Sequence, residues 1–149
     1  MKTLDIPTKP FPLRDLLTVT TGRLLTKPTH DGNGIGALYE LLGWMTDDSP
    51  MTHQLGRFSE ECKPWLLKWF PMLAPAEVAL PLLDASIKHN GRAGVELWLA
   101  ELPAIIPGIK DNYDVPRIPS GDHVQKDAIS ELIDMRGGSS KGIHLVSAP

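Results

Sequence analysis

The chain has very little cysteine: one residue, Cys62, in 149. An internal disulfide is excluded, and a cysteine-based zinc site is disfavoured. Long apolar runs are missing too. No stretch reaches the ~20 residues that a spanning helix needs, so no membrane association is expected. Met1 to Phe11 lacks a continuous apolar segment, so no secretory signal is expected. Basic surplus is absent: 15 Lys and Arg face 18 Asp and Glu, for a net charge of -3. That disfavours a global electrostatic grip on nucleic acid, though not a local basic patch. Internal repeats and low-complexity tracts are absent as well.

Signatures of catalysis are equally scarce. The histidines His30, His53, His89, His123 and His144 form no HExxH or HxH pattern. They read as surface or capping residues, and neither metal nor cofactor is expected. There is no GxSxG elbow and no SxxK. Cys62 shares an apolar stripe with Met51, Leu55 and Phe58, which makes it a small core residue. Asp47-Asp48 favours the positive end of the next helix, and Glu60 and Glu61 point to different sides of a helix. No constellation for turnover emerges, so binding is favoured over catalysis.

What is abundant is punctuation: 14 Pro and 13 Gly. The prolines fall mostly where helices start or stop, which predicts many short helices. The expected fold is mainly α, a compact single domain of Pro-punctuated helices with one or two minor strands. Residues 1–12 form an extended tail, 13–136 the helical domain and 137–149 a second tail.

Within the domain, Pro12 opens a segment with Leu13, Leu16, Leu17 and Thr20 at helical spacing and Gly22 as its stop. The β-branched run Thr18–Thr21 would also suit a strand. Ile35, Leu38, Leu41, Leu42 and Met45 mark a helix over about 35–45. Ser49 and Pro50 read as the cap and first residue of the next helix, ended or kinked at Lys63-Pro64. A short helix over 64–70 follows. Pro81 splits a helical stretch over 76–88. Val95, Trp98, Leu99 and Leu102 give a helix stopped by Pro103 and Pro107. Residues 108–121 form an extended Pro-rich arm on the surface. Asp122 and Gln125 then cap a last helix through Ile133.

Two groups of residues are candidates for binding. The first is the segment from Thr18 to Gly36. Thr18, Thr20, Arg23, His30, Asn33 and Gly34 lead into a glycine-rich turn that opens a helix, and His53 joins them as a polar candidate. Free amides at a helix start attract anions, and an arginine fork adds bidentate recognition of phosphate or carboxylate. The segment is neither a Walker A loop nor a GxGxxG fingerprint. The second group is Trp44, Trp65 and Trp69, which cannot all share one buried face, so one is expected at a partner-binding groove.

Four stretches carry a resemblance: Leu16 to Leu25 (LLTVTTGRLL), Gly36 to Thr46 (GALYELLGWMT), Thr52 to Leu55 (THQL) and Glu61 to Leu66 (ECKPWL). They resemble a family of small proteins of bacteriophages, prophages and integrative elements. The similarity runs from about Leu13 to Phe70, with a further match over Ile129–Gly137. It supplies no catalytic residues. It implies a cytoplasmic accessory protein in a bacterial host, acting by stoichiometric binding to a host protein such as a defence component. A nucleotide-type anionic signal, sequestered or processed at Thr18–Gly36, is the alternative ligand. A nucleic-acid-associated or virion-assembly role is a further alternative. Self-association into a homo-oligomer stays open.

Overall fold

The computed structural model describes residues 6–28, 34–124 and position 133. The chain starts with strand β1 (Thr8–Pro12), which runs directly into helix α1 (Leu13–Thr21). Helices α2 (Ile35–Thr46) and α3 (Leu55–Trp69) follow, the latter preceded by a tight helical turn over Thr52–Gln54. A second tight turn, Pro71–Leu73, leads to α4 (Pro75–Val78), α5 (Leu80–Asn90) and α6 (Ala93–Ile105). Strand β2 (Asn112–Pro116) closes the described fold. The architecture is mainly α with one two-stranded antiparallel sheet.

Helix α1 is the centre. Leu13, Leu16, Leu17 and Val19 are buried, and so are Asp15, Thr18 and Thr20. A helix buried nearly all round has little water to satisfy its polar groups, so most must pair internally. Thr18 and Thr21 do so by donating to the carbonyls of Arg14 and Leu17 at 2.9 and 2.6 Å. This back-bonding lets β-branched threonines sit in a helix and decides against the strand. Gly22, at φ 77°, ends the helix with its amide on the Thr18 carbonyl. Around α1 pack α2, through Leu38, Leu41, Leu42 and Met45, and α3, through Leu55, Phe58, Cys62 and Leu66.

Several boundaries differ from expectation. Ser49 and Pro50 do not start a helix; the turn begins two residues later, and the Gln54 side chain accepts the Met51 amide at 2.9 Å. Met51 is 55% exposed and leaves the apolar stripe, whereas Cys62 is fully buried in it. Pro64 does not end α3, and no separate helix covers 64–70. Both Pro64 and Glu60 are exposed, so water can hydrate the Glu60 carbonyl that the proline leaves without an amide. Exposed Pro103 likewise lies inside α6 instead of stopping it. Pro81 does split its stretch, sitting in the first turn of α5.

The 108–121 arm is not a surface strap. Its β2 strand pairs with the N-terminal extension, Phe11 opposite Tyr113 and Lys9 opposite Val115. Tyr113, Val115 and Ile118 are buried. Trp44 bolts the arm down: its Nε1 donates to the Val115 carbonyl at 2.7 Å, and Arg117 stacks 3.9 Å over its ring. The expected helix over Val124–Ile133 and the 137–149 tail lie almost wholly outside the described residues. Among the described residues, no helix is long and apolar enough to cross a membrane.

Helices α5 and α6 form a hairpin on the outside of this core. Only Leu83 is buried from α5, and Gly94, Trp98 and Leu102 from α6. The two helices cross at Gly94, where a Cβ would overlap the Ser86 backbone. Ser86 Oγ donates to the Gly94 carbonyl at 2.9 Å, and Trp98 Nε1 to the Ala79 carbonyl at 3.0 Å. Gly94→Ala is therefore expected to cost about 1–3 kcal/mol, as overpacking does. Urea denaturation followed by circular dichroism measures it; an unchanged midpoint would show that the crossing tolerates a methyl group.

Candidate functional site

A cleft of about 970 Å3 separates the end of α1 and its following loop from the α5–α6 hairpin. One wall is Arg14, residues 22–26 and Pro28. The other includes Leu83, Ile87, Arg92, Val95 and Glu96. The volume lies in the range of small-molecule sites, and the lining combines an apolar body with a few charged groups.

The loop wall is held by Thr18 and Arg14. Thr18 Oγ1 accepts the Leu25 amide at 3.0 Å while donating back along α1. The Thr21 hydroxyl accepts the Arg23 amide at 3.2 Å. Arg14 Nε donates to the Leu25 carbonyl at 2.7 Å. Thr26 Oγ1 donates to the Gly34 carbonyl at 2.7 Å. Gly34 has φ 92°, and a Cβ there would come within 2.5 Å of Thr26 Oγ1, so the close approach requires glycine.

Two ion pairs span the cleft. Arg14 grips Glu96 through both guanidinium nitrogens at 2.6 and 3.1 Å. Arg23 grips Asp84 in the same forked way at 2.5 and 3.3 Å. These bonds hold the Glu96 carboxyl below its usual range and raise Arg23 further above its own, chiefly through the hydrogen bond to Asp84.

The sequence candidates divide accordingly. Arg23 lines the cleft. Thr18 is buried behind the wall with its hydroxyl already engaged on both sides. Thr20 is buried too, and its hydroxyl has no hydrogen-bond partner among the described residues. Gly34 shapes the loop without lining the cleft, and His53 sits half-buried in the turn before α3. His30 and Asn33 lie outside the described residues. The tryptophans are elsewhere: Trp44 holds the arm, and Trp65 and Trp69 tilt against each other 5.5 Å apart on α3. None of the three lines the cleft.

Sequence reasoning missed Arg14, Asp84 and Glu96. All three are charges in Leu-rich helical stretches, which is a usable signal, but the partners in each pair are 61 to 82 residues apart. It also missed a buried polar knot. His123 faces Glu61 through Nδ1 at 2.5 Å and Asp48 through Nε2 at 2.9 Å. Arg57 and the Val124 amide complete the hold on Glu61 at 2.9 and 3.1 Å. Asp48 therefore does not serve the next helix's positive end; its other oxygen accepts the Ser49 amide. The His123 bond holds its carboxyl below the usual range. This knot fastens the end of the arm to α3. Among the described residues no cluster suits a metal ion. Burial pushes the Cys62 thiol well above its ordinary range, which makes it inert.

Residues 11–76 are similar to a domain of unknown function, DUF7736. No curated protein and no solved structure matches the chain. The matched stretch contains the loop wall with Arg14 and Arg23, whereas the α5–α6 wall lies beyond it.

Asp15 offers a test of the wall's foundation. It sits beside Arg14 on α1 and is 6% exposed. Burial pushes its carboxyl from 3.8 up to about 6; Arg14 counters this and Glu40 adds to it. The folded protein then holds a proton between about pH 4 and 6 that the unfolded chain has released. Stability falls as pH rises through that window. Asp15→Asn is expected to stabilise the protein at pH 7.5 by up to about 3 kcal/mol and to change little at pH 4. Thermal melts at the two pH values measure this; equal shifts at both would refute the assignment.

Proposed function

We propose that this chain is a non-catalytic binding protein whose cleft takes a small organic anion in stoichiometric amount. The observation that carries this reading is the cleft itself: about 970 Å3, apolar in its body, with Arg14, Arg23 and Arg92 on its walls. Arginine forks recognise carboxylate and phosphate in bidentate fashion, and apolar walls hold the rest of such a ligand. Among the described residues, the carboxylate on the cleft wall, Glu96, is held in the Arg14 fork and the Thr26 hydroxyl is engaged by the Gly34 carbonyl, which supports sequestration over turnover.

Between the two targets considered from sequence, the cleft favours a small molecule over a host protein. The tryptophans that would anchor a protein partner lie away from it, and one of them is used to hold the arm. The cellular setting belongs to the same proposal. It is that of an accessory protein of a phage or mobile element, acting in the host cytoplasm against a defence component, and it rests on the sequence resemblance alone.

Arg23 is the anion clamp in this reading. Native mass spectrometry of protein purified gently from bacteria should show a bound small mass that denaturation removes. Arg23→Ala should lose that mass, or weaken its binding about tenfold or more, while melting close to the unmodified protein, as loss of one charge-assisted contact predicts. Full retention of the ligand by Arg23→Ala would sink the clamp. A product accumulating beyond one equivalent would replace sequestration with catalysis.

A further inference from the structure

The Arg14 and Arg23 forks are already filled, Arg14 by Glu96 of the opposite wall and Arg23 by Asp84, which stands on α5 next to the lining residue Leu83. The two pairs are not equivalent. The Arg14 side chain is 16% exposed and also holds the Leu25 carbonyl, so it anchors the loop wall to α6. The Arg23 and Asp84 side chains are 44% and 54% exposed. An ion pair that open to water shifts an equilibrium by less than about fivefold, so it exchanges readily. Asp84 nonetheless stands in the fork in the geometry that an incoming anion would take.

We propose that Asp84 is a resident competitor for the anion subsite at Arg23, and that the cleft takes an organic phosphate monoester whose body fills its apolar part. The inference rests on the cleft reading above. Any ligand that uses Arg23 must first displace Asp84, and its apparent affinity falls by the fraction of molecules in which the fork is vacant. A monocarboxylate only replaces one carboxylate with another. A phosphate monoester carries a charge of about -1.5 to -2 at pH 7 and three acceptor oxygens, so it outbids Asp84. Arg92 lines the same cleft, close enough to Glu96 to help hold that carboxyl below its usual range, and adds positive charge to the cleft. Leu24, Leu83, Ile87 and Val95 provide the apolar surface for the ester body. Asp84 thereby sets a threshold: every ligand of the fork loses the same factor, less than about fivefold, and the anions with the strongest intrinsic hold on Arg23 are the ones retained.

The test is calorimetric titration of the full chain, at low ionic strength, with 1-naphthyl phosphate, 1-naphthoate and 1-naphthol. These probes share one aromatic body and differ in charge. The phosphate is expected to bind tightest, at one equivalent. Asp84→Asn should tighten the phosphate about two- to fivefold, the span set by an exposed ion pair, and leave the naphthol unchanged. Adding Arg23→Ala should erase that gain. Asp84→Ser, which also removes the competing charge, should reproduce it, so the test does not hang on the folding of one variant. An unchanged or weaker phosphate affinity in both Asp84 variants would overturn the competitor role. Naphthoate binding as tightly as the phosphate would overturn the ligand class. If no probe binds the unmodified protein at one equivalent, the cleft reading itself fails.

Discussion

Burial of α1 on almost every side is the constraint from which the other features follow. Leu13, Leu16, Leu17 and Val19 remove apolar surface from water, on the order of 1.5–3 kcal/mol for each large side chain. The same geometry leaves little water for the helix's polar groups. Thr18 is satisfied within the chain, and Asp15 is driven toward its neutral form. Arg14 lies on this helix with its guanidinium directed outward to Glu96. The central helix thus carries both the core and the strongest tie to the outer hairpin.

The cleft follows from how little of that hairpin is buried. Helices α5 and α6 insert Leu83, Trp98 and Leu102 into the core and leave Leu82, Ile87, Leu97 and Ile105 exposed. Low burial marks the parts of a protein that open most easily. The Gly94 crossing and the Trp98 bond to Ala79 hold the two helices together, and the Arg14–Glu96 fork ties the hairpin to α1. Arg23–Asp84 is a second tie, the more exposed of the two ion pairs and the less costly to exchange. Of the two walls of the cleft, the hairpin is therefore the one held more lightly.

Helical periodicity made α2, the body of α3 and the burial of Cys62 legible in the sequence. So did the Gly22 stop, because a left-handed turn there needs glycine. Proline was read too strictly. At positions 64 and 103 it faces water, where a lost backbone bond costs less than in a core. The strand β2 was hidden because its partner β1 lies about a hundred residues away, and a two-stranded sheet leaves only weak alternation in either strand. Arg23 stood out from the sequence because hydroxyls, cations and glycines cluster around it. Its partner Asp84 did not, because an ion pair across 61 residues leaves no local pattern.

Net charge and local charge point in opposite directions here, and the difference bears on ligand size. A chain of net charge -3 does not gather polyanions over its whole surface. Two of its three arginines at the cleft are matched by acids, Glu96 on Arg14 and Asp84 on Arg23. Such matching keeps long-range attraction weak and leaves recognition to short-range geometry. A long nucleic acid gains most from unpaired, distributed cations. A compact organic anion gains from one fork, a second nearby cation and an apolar wall, all of which the cleft places within about 970 Å3.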